Sequence, residues 1–261
     1  MITSFSNEKI KNVVKLRKRS ARSKSNTFVV EGAREISQAI DHGYKATSCF
    51  YGESLSSQAQ AALEKILALK TVPSYPVSKL VFPKLAVREN SDGLVVLFET
   101  KSARLSDIQD LRLVVVVESI EKPGNLGALL RSCDGAGVGG ILILNNYDVY
   151  NPNVIRSSLG SVFSLPIVQV TKDELKRFLG DNKITMIGLT PEVDDSYFEV
   201  KFDKNCAVLL GEEAAGMTES AKELCDKLVK IPMQGAMDSL NLSVAGSVVV
   251  FEALRQRLVR R

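Results

Sequence analysis

Three segments of this chain carry residue types that could do chemistry together. The first is Glu118-Ser-Ile-Glu-Lys-Pro-Gly-Asn-Leu-Gly-Ala-Leu-Leu-Arg131, where an apolar run ends, a Pro-Gly loop turns and a helix begins near Asn125. Gly127 and Arg131 stand four residues apart, about 40° apart in azimuth on a helix, so a phosphate or ribose could approach the backbone beneath a guanidinium. The spacing is not that of a dinucleotide-binding glycine fingerprint. The second is Ala207-Val-Leu-Leu-Gly-Glu-Glu-Ala-Ala-Gly-Met217, an apolar strand running into Gly211, two acids and Gly216, with Thr218 placed to cap the next helix. Acids at the C-terminal end of a parallel strand sit where open α/β sheets bind ligands. The third is Ile231-Pro-Met-Gln-Gly-Ala-Met-Asp-Ser-Leu-Asn-Leu-Ser-Val-Ala245, a strand end cut by Pro232, a glycine loop, and a helix starting near Ser239. Backbone groups of such a loop, next to a helix N-terminus, could hold the polar parts of a small cofactor, and the small residues Ser243, Gly246 and Ser247 permit close packing.

The elements that must position these segments follow from pattern. Leu113–Val117 and Ile141–Leu144 are fully apolar strands, Ile184–Leu189 and Cys206–Leu210 are strand-like, and helical stretches lie between them. Continuous apolar strands alternating with helices imply a parallel sheet covered on both faces. Upstream, Ile10, Val13, Val14 and Leu16 mark an amphipathic helix with basic outer faces. Thr27–Val30, a helix from Ala33 to Ile40 stopped at Gly43, a short strand at Phe50-Tyr51, a helix over 56–70 and a strand at Leu94–Phe98 complete a small α/β unit. The expected division is residues 1–100 as one domain with a basic N-terminal arm, 101–110 as a polar linker, and 111–261 as the larger α/β domain.

Composition narrows the classes of function. At 45% hydrophobic and 25% charged residues the chain reads as globular, and no run of eighteen apolar residues marks a membrane span. The first twenty residues lack the apolar core of a secretory signal, so the expectation is a cytoplasmic protein. The four cysteines, Cys49, Cys133, Cys206 and Cys225, form no C-x-x-C pair and are expected to be buried free thiols. The single histidine, His42, excludes any mechanism needing a histidine pair. Net charge is +4, unevenly placed. Between Lys9 and Lys24 lie eight bases and no acid, and removing those eight from 34 leaves 26 bases against 30 acids, net −4. A local +8 on an acidic background marks a nucleic-acid contact whose affinity falls with salt.

In this order and spacing, Asn125 to Arg131, Leu210 to Met217 and Ile231 to Ala245 resemble the SpoU (TrmH-like) family of RNA ribose 2′-O-methyltransferases, of the SPOUT superfamily. Val154-Ile-Arg-Ser-Ser-Leu-Gly160 looks like the family's segment between its first two motifs, and Phe28-Val-Val-Glu-Gly-Ala-Arg34 looks like its small, ribosomal-protein-like RNA substrate-binding domain. The resemblance implies an α/β catalytic domain whose C-terminal chain threads a trefoil knot, which general topology rules would reject. It implies S-adenosylmethionine as cofactor, no metal, a homodimer, and RNA as substrate, ribosomal in preference to transfer RNA. By carry-over, Gly211, Ile231, Met233 and Leu240 line the cofactor pocket, while Asn125, Arg131, Glu213, Ser239 and Asn241 form the catalytic constellation. Lys15, Arg17, Lys18, Arg19, Arg22 and Arg156 are the expected RNA contacts. Glu212 departs from the family, which usually has a neutral residue there. A guanidinium gives up its proton too reluctantly to serve as a base, so the expected role of Arg131 is to clamp a phosphate and stabilise the developing alkoxide. The alternatives are a transfer-RNA enzyme, an RNA-binding or ribosome-assembly module without catalysis, and a knotted enzyme acting on a base nitrogen.

Overall fold

The computed structural model describes residues 1–87, 91–213 and 215–259. The chain forms two compact units, residues 1–101 with 148–164, and residues 102–147 with 165–261.

In the first unit, α1 (Glu8–Lys15) and α2 (Arg19–Ser25) precede β1 (Thr27–Glu31), α3 (Ala33–Asp41), β2 (Ala46–Tyr51), α4 (Ser57–Ala68), β3 (Ser74–Pro76) and β4 (Leu94–Glu99). The strands form one sheet in the order β1-β4-β2-β3, antiparallel except for the parallel β2–β3 pair. Asn7 caps α1 by accepting from the Lys9 N–H, and α1 buries Ile10 and Val13. With Leu16 these side chains pack against Val29, Phe50, Val95 and Leu97 of the sheet. The amphipathic spacing read at Ile10, Val13 and Leu16 is thus the inner face of α1, with its lysines outside.

The second unit opens with Ile108, Ala103 and Leu105 packed into its core, so the polar stretch 101–110 supplies apolar anchors as well as spacing. Then come β5 (Leu113–Val117), α5 (Pro123–Gly135) and β6 (Gly140–Ile143). The chain next contributes α6 (Pro152–Ser158) and α7 (Ser161–Ser164) to the first unit. Aromatic packing accounts for that return: Tyr150 stacks on Phe28 at 4.2 Å, and Phe163 meets Tyr44 edge-on at 5.0 Å. Leu159 (φ 52°) and Gly160 (φ 94°) turn the chain sharply between α6 and α7. A Cβ at Gly160 would lie 2.7 Å from Gln38, so the turn needs glycine twice over.

The second unit resumes with β7 (Ile167–Gln169), α8 (Lys172–Asp181), β8 (Thr185–Leu189), β9 (Cys206–Leu210), α9 (Glu219–Lys222), β10 (Lys227–Val229) and α10 (Leu242–Val259). Its six strands are all parallel, in the order β10-β8-β9-β5-β6-β7. Every residue of β5 and β9 is buried, as strands covered on both faces must be. Fully burying a valine stabilises by about 1.5–3 kcal/mol, and β5, between β9 and β6 in the sheet, buries four (Val114–Val117).

Several sequence expectations change here, beginning with the domain division: residues 148–164, expected in the larger domain, belong to the first unit, and residues 102–110, expected as a linker, belong to the second. The third segment's strand ends at Val229, two residues before Ile231, and its helix begins at Leu242, not near Ser239. Asn241 sets that start: its Oδ1 accepts from the Ser243 N–H (3.0 Å) and hydroxyl (2.7 Å), an Asx cap that fixes the first turn of α10. Thr218 does precede α9, but its hydroxyl makes no cap and donates instead to the Glu118 carboxylate.

Candidate active site

The register β8–β9–β5 aligns Leu189, Leu210 and Val117 at the C-terminal edge of the parallel sheet. Three loops leave that edge or run beside it, and they enclose a cavity of about 270 Å³. Lining it are Leu189 to Glu192 at the end of β8, Leu210 to Glu213 with Ala215 and Gly216 at the end of β9, and Ile231, Met233, Asp238 to Leu240 and Leu242 between β10 and the start of α10. This is where an open α/β sheet binds ligands, and the lining mixes apolar side chains with loop backbone.

The loop after β9 is tightly folded. Glu212 and Gly216 exchange two backbone hydrogen bonds (2.9 and 3.0 Å). Gly211 sits so close beneath them that an added Cβ would lie 2.5 Å from Gly216 C and Met217 N. A larger residue at 211 would push the loop away.

Of the expected cofactor residues, Gly211, Ile231, Met233 and Leu240 all line this cavity, as do Glu213 and Ser239 of the expected constellation. Asn241 lies between the lining residues Leu240 and Leu242, with its side-chain oxygen engaged in the α10 cap. Arg131 is exposed on α5 and does not line the cavity. Asn125, in the first turn of α5, has a buried Nδ2 with no protein partner, an unsatisfied donor of the kind that marks a functional position. Helices α5 and α10 meet through the Ser247–Ser132 hydroxyl pair at 2.6 Å.

The cavity is acidic. Glu192, Glu212, Glu213 and Asp238 line it, and no basic side chain does among the described residues. Lys122 lies 3.8 Å from Glu213, and Lys222 pairs with Glu192. The Glu121 carboxylate accepts a hydrogen bond from the protonated Glu212 carboxyl beside it and so raises that carboxyl above its ordinary value, with burial and the charges of Glu121 and Glu118 acting in the same direction. Sequence reasoning missed Thr190, Pro191 and Glu192, although their place just past a parallel strand is the signal that would have found them.

Among the described residues no group of three or more His, Cys, Asp or Glu is placed to hold a metal ion, and no helix is long and apolar enough to cross a membrane. Cys49, Cys133 and Cys206 are buried. Burial pushes the thiols of Cys49 and Cys225 up to about 12 and that of Cys206 up to about 11, far from thiolate nucleophiles.

In the first unit Lys15, Arg17, Lys18 and Arg19 are exposed, and so is Arg156 on α6. Arg17 points Nη2 at the carbonyls of Lys84, Leu85 and Ala86 (2.9, 3.1 and 3.0 Å). Arg22 does not belong with the RNA contacts. It is 3% exposed, donates to the carbonyls of Leu16 and Arg17 (2.7 Å each) and pairs with Asp148. Its guanidinium closes the turn between α1 and α2, because a buried charge needs all its donors engaged.

The SpoU rRNA Methylase family model matches residues 112–251, and an MRM3-like substrate binding domain model matches residues 7–96. The chain belongs to the SpoU family. It is 31% identical to the 23S rRNA (uridine(2479)-2′-O)-methyltransferase of Streptomyces viridochromogenes over 93% of this chain and 88% of that protein. A crystal structure of an RNA 2′-O ribose methyltransferase superposes with a TM-score of 0.86 at 35% identity, over 98% of this chain and 99% of that one. The SpoU methyltransferase AviRb of S. viridochromogenes, solved with AdoMet, superposes with a TM-score of 0.87 at 29% identity, over 97% and 98% of the two chains.

Proposed function

We propose that this chain transfers the methyl group of S-adenosylmethionine to a ribose 2′-oxygen of large-subunit ribosomal RNA, in the cytoplasm and as a homodimer. The observation that carries the reading is the cavity at the C-terminal edge of β8, β9 and β5, whose walls are the second and third sequence segments. The fit to the cofactor rests on a small-molecule-sized space with apolar and backbone lining, and on acids that suit a ligand carrying positive charge. When bound, the cofactor supplies an electrophilic sulfonium methyl. Gly211, Ile231, Met233 and Leu240 hold it, while Glu213, beside Lys122, and Ser239 present polar groups at the same wall.

Arg131 acts as a forked cation that grips a substrate phosphate and stabilises the alkoxide as it forms. Asn125 offers its unsatisfied Nδ2 donor on the same helix, and Asn241 fixes the start of α10 below the Leu240 wall. The exposed lysines of α1 and its flank, Lys15 and Lys18, with Arg19 and Arg156, supply the RNA contacts. Ribosomal over transfer RNA is favoured by the match of residues 7–96 to a dedicated substrate-binding domain and by the ribosomal substrate named for the Streptomyces relative. Val244, Phe251 and Leu258 are exposed at seven-residue spacing on α10, an apolar stripe suited to a second copy of the helix. The trefoil threading belongs to the same reading, and the return of α10 against α5 beside the Gly211 loop is consistent with it.

Methyl transfer from a labelled cofactor to RNA of a strain lacking the gene tests this. Label is expected at one ribose of large-subunit RNA; label in transfer RNA alone or in a base overturns the substrate assignment, and none at all overturns the activity. Arg131→Lys is expected to lower kcat by about a hundredfold or more, the scale of removing one electrostatic donor. Full turnover in that variant would remove the clamp.

A further inference from the structure

Glu118 is the first residue after β5, 6% exposed, and takes no part in the chemistry above. Its backbone N–H donates to the carbonyl of Leu210 (3.0 Å), the last residue of β9 and the upstream post of the cavity loop. Its carboxylate accepts from the backbone N–H of Thr218 (3.0 Å) at Oε2 and from the Thr218 hydroxyl at Oε1. Thr218 is the downstream post of the same loop. One residue therefore holds both ends of the Gly211–Met217 segment, and both carboxylate oxygens accept a hydrogen bond from Thr218. The engagement is specific enough to divert Thr218 from capping α9. Lys172 lies 3.9 Å from Oε1 and offsets the buried charge, and its Nζ is also bonded to the Ser220 hydroxyl beside Thr218. The Glu118 carbonyl accepts from Asn145 Nδ2 (2.9 Å), which ties the loop after β6 to the same point.

The geometry points to Glu118 as the positioning residue of the cofactor loop: it closes the loop on itself so that the Gly211–Gly216 wall is formed before ligand arrives. A preorganised wall raises affinity because ordering the loop is not charged against binding. This deepens the methyltransferase reading and rests on it for the identity of the ligand, although the tether itself does not.

Two measurements on Glu118→Gln and Thr218→Val separate the two. The first is hydrogen exchange in the ligand-free full chain. Both variants are expected to speed exchange at the amides of Gly216, Met217 and Thr218 while leaving β5 and β9 protected. Unchanged exchange there overturns the tether. The second is calorimetric titration with S-adenosylmethionine and S-adenosylhomocysteine. Loss of a hydrogen bond to a charged group corresponds to a rise in Kd of about tenfold to a hundredfold. The rise is expected equally for both ligands, with kcat at saturating cofactor falling less than kcat/KM. Unchanged Kd in a variant whose loop exchanges faster overturns the positioning role. Thr218→Val keeps the Thr218 backbone bond and carries both measurements if Glu118→Gln fails to fold. A parent protein that binds neither ligand refutes the methyltransferase reading, while hydrogen exchange still decides the tether.

Discussion

Gly211→Ala is the sharpest probe of the cavity wall. The residue does not have a left-handed φ, so alanine meets no backbone strain, and the whole effect is contact. The new methyl would lie 2.5 Å from Gly216 C and from Met217 N, and 2.7 Å from Gly216 O, against 3.4 Å for ordinary contact. All three obstacles are backbone atoms, and the loop carrying them is closed by the Glu212–Gly216 pair and by Thr218 on Glu118. The loop must therefore shift by several tenths of an ångström. Forcing an extra methylene into a packed site costs about 1–3 kcal/mol. Borne by the loop, that corresponds to a cofactor Kd raised about 5-fold to 140-fold, at about 1.4 kcal/mol per decade. The assay is calorimetric titration with S-adenosylhomocysteine, alongside a circular-dichroism melt. Gly124→Ala, with nothing within 4 Å of its added Cβ, is the control and is expected to bind as the parent does. A folded Gly211→Ala protein binding within about twofold of the parent would refute the steric reasoning.

Arg22→Ala is expected to destabilise the first unit by about 3–5 kcal/mol, because it strands the Asp148 carboxylate and opens the α1–α2 turn; a melt unchanged from the parent would contradict the buried role. Lys15→Gln with Lys18→Gln is expected to leave the melt unchanged while lowering the slope of log affinity for RNA against log salt by about one per residue, measured by filter binding. Glu121→Gln removes the largest cause of the raised Glu212 carboxyl. A carboxyl raised in the folded chain destabilises it as pH climbs from the unfolded value of 4.5 to the raised one. The variant should thus melt higher than the parent near neutral pH, and the difference should close below 4.5; a difference independent of pH would rule out Glu121 as the cause of the raised carboxyl.

The sheet strands were legible because burial on both faces writes itself as unbroken apolar runs: Leu113–Val117 and Cys206–Leu210 were read with the bounds they have. The loops at Gly211 and Ile231 were legible because glycine, proline and acids clustered just past such runs. What sequence could not show was pairing over distance. Glu118 and Thr218 lie 100 residues apart, and Arg22 and Asp148 lie 126 apart. Sequence alone offers Arg22 as an RNA contact and Thr218 as a helix cap, and only the fold supplies the partners that occupy them. The return of Tyr150 and Phe163 to the first unit was hidden for the same reason. The late start of α10 could have been read, since Asn241 two residues before Ser243 is an Asx cap.

A crystal of the full chain grown with S-adenosylhomocysteine addresses the cavity itself. Ligand density is expected between the Gly211–Gly216 and Ile231–Leu240 loops, touching Gly211, Ile231, Met233 and Leu240. Density for the ligand elsewhere on the molecule, with that cavity holding only solvent, would contradict the assignment of these loops as the cofactor site.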